Sequence, residues 1–117
     1  MNHEEVEQYI LSMPNAVLDY PFGEGVAVYK VGEHMFALIQ EGSAPVRVSL
    51  KCDPQLAVLL RDKYETVMPG YHLNKKHWNT LLLTGQLDAQ EVQDLIRHSY
   101  ELVAHLPASK SEITEQR

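Results

Sequence analysis

The sequence predicts an α+β fold: a single antiparallel sheet of five to six strands with helices packed on one face, in the order α-β-β-β-β-α-β-α. Three observations predict it. Four β-rich segments follow one another between residues 17 and 51, separated only by short turns that each carry a glycine. Capped, amphipathic helical patterns stand at both ends of the chain. Glycine-rich strand-to-helix turns, which build parallel nucleotide-binding folds, are absent from the sequence.

The first helix starts at a capping box, Asn2 with Glu5, continues through Val6, Tyr9, Ile10 and Met13 at helical spacing, and is stopped by Pro14. Strands are expected over residues 17–22, 26–31, 35–39 and 46–51, with turns at Gly23-Glu24-Gly25, Gly32-Glu33 and Glu41-Gly42-Ser43. The last of these strands alternates cleanly. Val46, Val48 and Leu50 take one face and Arg47, Ser49 and Lys51 the other, which predicts one buried sheet face and one wet, basic face open to solvent or a partner. Asp53 as N-cap and Pro54 as first helical residue open a short helix carrying Leu56, Leu59, Leu60 and Tyr64. Residues 66–68 have the character of a short strand broken by Pro69-Gly70, and residues 78–84 that of a further strand. Asp88 and Glu91 cap the last helix, whose face from Val92 through Leu95, Ile96, Ser99, Leu102 and Val103 to Leu106 is expected in the core before Pro107 ends it.

At 117 residues the chain fits a single domain, drawn here at 1–107, followed by a polar tail at 108–117. Cys52 is the one cysteine, so no internal disulfide forms. No apolar run approaches the ~18 residues of a membrane span, and the N-terminus lacks a signal-peptide pattern, so a cytoplasmic protein with no membrane association is expected. The net charge of −6 disfavours a polyanionic partner until its distribution is considered. Residues 1–29 sum to −5, residues 30–80 to +2 and residues 81–117 to −3. A locally basic face on an acidic molecule follows, and Lys30 joins it if its strand is in register.

The chemistry-bearing stretch is Pro69-Gly70-Tyr71-His72-Leu73-Asn74-Lys75-Lys76-His77-Trp78-Asn79-Thr80, which holds cations, imidazoles, amides and aromatics with no carboxylate. Lysines neutralise phosphates, and flat side chains with polar edges offer stacking surfaces. The bland alternative buries Tyr71 and Trp78 in the core and leaves the lysines as solubilising residues. His72 and His77 stand five apart, off the i, i+4 spacing of a helical metal pair, with two lysines between them. Cys52 precedes a helix N-terminus, but Asp53 opposes a thiolate there. Met13, Met35 and Met68 are scattered core fillers, and Asp88 and Glu91 are accounted for as caps. No catalytic residue, metal site or cofactor is expected.

The segments Val48-Ser49-Leu50-Lys51-Cys52-Asp53-Pro54 and residues 69–80, with Tyr20-Pro21-Phe22-Gly23 and His98-Ser99-Tyr100-Glu101-Leu102-Val103, resemble the MmcQ/YjbR family of small bacterial proteins. The resemblance implies a CyaY-like, frataxin-type fold, and a DNA-binding function with a double-wing arrangement. It carries DNA contacts onto Lys51, His72, Asn74, Lys75, Lys76, His77 and Trp78, and the neighbouring Arg47 is added from the strand pattern. The alternative is a non-enzymatic module that binds a protein or an anionic ligand on the open sheet face. The link of frataxin-type proteins with iron points to Glu4, Glu5 and Glu7, which a solvated helix face also explains. A monomer is expected.

Overall fold

The computed structural model of the protein describes residues 1–106. The end of the predicted domain at 107 and the tail at 108–117 lie outside the described residues. Nine elements follow in the order α1 (His3–Leu11), β1 (Ala16–Asp19), β2 (Val26–Val31), β3 (His34–Gln40), β4 (Val46–Lys51), α2 (Pro54–Lys63), β5 (Val67–Pro69), β6 (Trp78–Leu83) and α3 (Ala89–Ala104). The strands form a single six-stranded sheet in the order β1-β2-β3-β4-β6-β5, antiparallel throughout. The α+β architecture and element order are those the pattern predicts, with the short strand expected at residues 66–68 formed as β5.

Helix ends fall where the side chains cap them. Asn2 and Glu5 exchange reciprocal bonds at the start of α1, and Asp88 and Glu91 do the same at α3. The Asp53 carboxylate accepts from the backbone N–H groups of Gln55 and Leu56, opening α2 at Pro54. β1 stops at Asp19, short of the predicted end at 22, because Pro21 offers no N–H to a ladder and residues 20–22 turn away from β2.

One sheet face carries Ala27, Tyr29, Ala37, Ile39, Val48, Leu50 and Leu81 into the main core with Val6 and Ile10 of α1 and Val92, Ile96 and Val103 of α3. A register shift beside Tyr29 and Lys30 leaves Phe36 without a partner on β2, and its ring turns into this core, edge-on to Tyr100 at 5.5 Å. The α3 stripe is narrower than expected. Val92, Ile96, Ser99 and Val103 are buried, whereas Leu95 is half-buried and Leu102 and Leu106 are exposed on its flank.

The three consecutive residues 98–100 act as ties. His98 Nε2 accepts from the Asp53 N–H at 3.1 Å, Ser99 Oγ donates to the Phe36 carbonyl at 2.5 Å, and Tyr100 Oη donates to the Pro14 carbonyl at 2.8 Å. Glu7 departs from the solvated-face reading: it accepts a 2.6 Å bond from the buried Tyr29 hydroxyl. Burial first, and the Glu7 carboxylate second, push the Tyr29 phenol well above its ordinary range.

The second sheet face corrects an expectation. It is not simply open and wet, because Val28, Leu38 and Trp78 form a separate buried cluster there, with Val26, Met35 and Leu73 packed against it. The segment between β5 and β6 folds back over this face as a partial roof.

Candidate functional site: a roofed cavity beside a basic loop

The roof exists because of three local devices. Gly70 lets the backbone pass close over β6: its N–H donates to the Trp78 carbonyl at 2.8 Å, and a Cβ at this position would stand 2.6 Å from Trp78 Cβ. Asn74 then holds the turn, its Oδ1 accepting from the backbone N–H of Lys76 at 2.9 Å and of His77 at 3.3 Å. Lys75 Nζ donates back to the Gly70 carbonyl at 3.2 Å, and Arg61 of α2 donates to the Lys75 carbonyl at 2.8 Å. Between these anchors, Leu73 inserts toward Trp78, and His72 adopts a left-handed backbone with φ 59°.

The roof and the sheet enclose a cavity of about 300 Å³. Val26, Leu38 and Leu73 form its apolar walls, and Phe22, 61% exposed in the β1–β2 loop, stands at its margin. Tyr71 and His72 lie across from the strands, their rings 4.0 Å apart between centroids and tilted by 54°. Arg47, Gln40 and Ser49 supply the polar part. Ser49 Oγ and Thr80 Oγ1 are 2.8 Å apart across β4 and β6, and Thr80 Oγ1 also accepts from the Tyr71 N–H at 3.0 Å. The Arg47 guanidinium carbon lies 5.6 Å from the Tyr71 ring centroid. Its Nε is buried without a hydrogen-bond partner, and among the described residues no carboxylate pairs with it.

The structure divides the sequence-predicted site residues into two groups. Arg47 and His72 line the cavity. Lys51 stands four residues along the same face of β4, on the order of 13 Å from Arg47 at strand rise. It pairs in register with Trp78, and the Cys52 N–H bonds the His77 carbonyl at 2.7 Å, so Lys51, Asn74, Lys75, Lys76 and His77 collect around the end of β4 and the loop tip. Among the described residues neither Lys51 nor Lys76 has an acidic partner. Trp78 differs from its predicted place on the contact surface: it is 6% exposed beneath Leu73, so no base can stack on it. Asn79 is turned to the helix side, where it donates to the Ala57 carbonyl at 3.2 Å. Lys30 is bound to Asp19 at 2.9 Å at the far side of the sheet, and its ammonium holds the Asp19 carboxyl below its ordinary range.

Sequence reasoning put Ser49 on the open face with Arg47 but did not place Phe22, Leu38 or Gln40 at a site. The signal available was parity: Leu38 pairs with Ser49, so both fall on the face of Arg47.

Among the described residues no group of three or more His, Cys, Asp or Glu side chains could hold a metal ion. No described helix is long and apolar enough to cross a membrane. Cys52 is 4% exposed, and burial followed by the Asp53 charge pushes its thiol up to about 11. At pH 8 iodoacetamide should therefore modify the native protein at least roughly a hundredfold more slowly than the urea-unfolded chain. Comparable rates in the two states would show an accessible thiolate.

A family model described as YjbR matches residues 11–102. The chain belongs to the YjbR family. Among relatives, the uncharacterized protein YbdF of Escherichia coli O157:H7 is 36% identical over 101 residues, covering 86% of this chain and 83% of that protein. The uncharacterized protein YjbR of Escherichia coli K12 is 34% identical over 117 residues, covering 99% of each. A Deinococcus radiodurans crystal structure assigned to domain family DUF419 superposes with a TM-score of 0.84 at 36% identity, covering 96% of this chain and 85% of that one. A Pseudomonas syringae crystal structure superposes with a TM-score of 0.75 at 31% identity, covering 87% and 98%. The YjbR match spans both the roof segment and the strands beneath it, so the cavity and the basic loop tip belong to the family domain.

Proposed function

We propose that this YjbR-family protein is a non-enzymatic binding module that contacts DNA phosphates through the loop tip beside β4. The observation that carries the reading is the pair of lysines, Lys51 and Lys76, whose ammonium groups lack acidic partners among the described residues, with Lys75 in the same loop. Asn74 and His77 share the loop, and the excess charge of +2 over residues 30–80 concentrates the base of an otherwise acidic chain in this region. Burial of Trp78 removes base stacking from the mechanism and leaves phosphate contact, which favours duplex over single-stranded DNA.

Three phosphate contacts give a slope of log K against log salt near −2.7 on duplex DNA, and Lys51→Ala/Lys76→Ala should reduce its magnitude by about two units. Fluorescence anisotropy with labelled duplex at low salt measures both, and Trp78 emission should stay unchanged throughout. Absence of binding by the folded wild type at about 50 mM salt would remove the DNA reading. A second reading, an anionic-ligand module on the same sheet face, is favoured by the unpaired Arg47 in the roofed cavity.

A further inference from the structure

We infer that the cavity under the roof is a binding site for a small organic monocarboxylate with an apolar or aryl body, held by Arg47. This deepens the second reading above and is independent of DNA contact at the loop tip. Four observations carry it.

A buried guanidinium Nε with nothing to donate to is costly, because desolvation is incurred without a compensating bond. Arg47 is already oriented by the Tyr71 ring, so its position is set before any ligand arrives. The natural acceptor for an oriented guanidinium is a planar oxyanion, which takes two parallel N–H donors in a fork.

The lining contains no aspartate or glutamate, so nothing within the cavity competes with an incoming anion. Arg47 is its one permanently charged group, which suits a single negative charge better than a phosphate dianion. The Ser49 and Thr80 hydroxyls already bond each other, and Thr80 also holds the Tyr71 N–H, so they rigidify the floor beside Arg47.

The remainder of the lining is chosen for an apolar body. Val26, Leu38 and Leu73 give aliphatic walls, and the Phe22 and Tyr71 rings, 61% and 51% exposed, add aromatic surface to the lining. The cavity of about 300 Å³ sits at the lower end of small-ligand sites and takes on the order of ten to fifteen non-hydrogen atoms at protein packing density.

The backbone at His72 is the fourth observation. His72 has a left-handed backbone, φ 59°, at the third position of the turn that the Leu73 N–H closes onto the Gly70 carbonyl at 3.3 Å. The conformation places the imidazole against Tyr71 at the cavity wall rather than out along the loop.

The test titrates the full chain with phenylpropionate, its neutral amide phenylpropanamide, and inorganic phosphate, following backbone amide chemical shifts. The expected result is saturable shifts confined to the neighbourhood of Val26, Leu38, Ser49, Tyr71 and Leu73 with the acid. The amide should bind roughly tenfold or more weakly, the value of one charge-assisted interaction, and phosphate should bind more weakly still. In Arg47→Gln, whose fold the same spectra report, the acid should fall to the level of the amide. Lys51→Ala/Lys76→Ala should leave acid binding unchanged, which separates this site from the DNA reading. Equal affinity for acid and amide in the wild type would overturn the assignment without recourse to any variant. So would phosphate binding as tightly as the acid, or no saturable shift at roughly 10 mM acid. If the acid binds but its shifts map to the loop tip and vanish in Lys51→Ala/Lys76→Ala, the cavity is excluded and the loop is the anion site.

Discussion

Trp78→Ala should lower the unfolding free energy by about 3–5 kcal/mol, a large part of the roughly 5–15 kcal/mol that holds a domain of this size. Trp78 is 6% exposed and is the one aromatic member of the cluster with Val28 and Leu38, against which Val26, Met35 and Leu73 pack. Removing the indole empties the space between sheet and roof, and Leu73 has nothing left to insert against. Urea denaturation followed by far-ultraviolet circular dichroism measures the loss. Trp78→Phe, which keeps an apolar ring, should cost clearly less. A Trp78→Ala protein within 1 kcal/mol of wild type would mean that the second face has no packed cluster and that Trp78 is available for contacts.

Gly70→Ala should destabilise the protein by about 1–3 kcal/mol and dislodge the roof, although it adds only one methyl group. The new Cβ would lie 2.6 Å from Trp78 Cβ, 3.1 Å from the Trp78 carbonyl oxygen and 3.2 Å from Leu73 Cβ. Two of these neighbours are fixed to the backbone of β6, and the Gly70 N–H bond to Trp78 prevents the segment from sliding aside without losing it. Thermal unfolding gives the magnitude. The amide resonances of Tyr71, Leu73 and Lys76 should move while those of α1 and α3 keep their positions, since strain at β5–β6 does not reach the helical face. A variant with wild-type stability and unchanged loop resonances would contradict the close approach.

The frame was legible in the sequence because its signals are local. Capping boxes at Asn2 and Asp88, the proline-led start of α2 and the glycine turns between strands each fix one boundary from neighbouring residues. Parity within β4 separated Arg47, Ser49 and Lys51 from Val46, Val48 and Leu50, as the structure has them. The roof was not legible, since residues 69–77 carry no period and contain a single aliphatic side chain, Leu73. Its path depends on the absent Cβ of Gly70 and on a left-handed His72, neither of which a composition reveals. Because the roof was missed, the second face read as solvent-exposed, Trp78 as a contact residue and Arg47 as one more surface cation. Lys30 failed for a related reason: its partner Asp19 stands on a neighbouring strand, and pairing across β1 and β2 is a property of register.

The ties made by residues 98–100 bear on how the chain reaches its native state. They join positions 45, 63 and 86 residues apart, from Asp53 to His98, Phe36 to Ser99 and Pro14 to Tyr100. Such separations raise the mean sequence distance of native contacts, and loop-closure entropy must be lost before any of these bonds forms. During synthesis the six strands emerge before α3, and the sheet face that α3 covers waits for it with Ala37, Ile39, Val48 and Leu50 uncovered. Because the three bonds come from successive residues on one short piece of helix, docking of α3 joins the N-cap of α2, the bulged strand and the α1–β1 connection at one place. The last helix is therefore the element that turns a meander of hairpins into a cooperative unit. Substitutions at Ser99 or Tyr100 are therefore expected to lower the yield of refolding from urea while leaving the roofed face of the folded fraction unchanged.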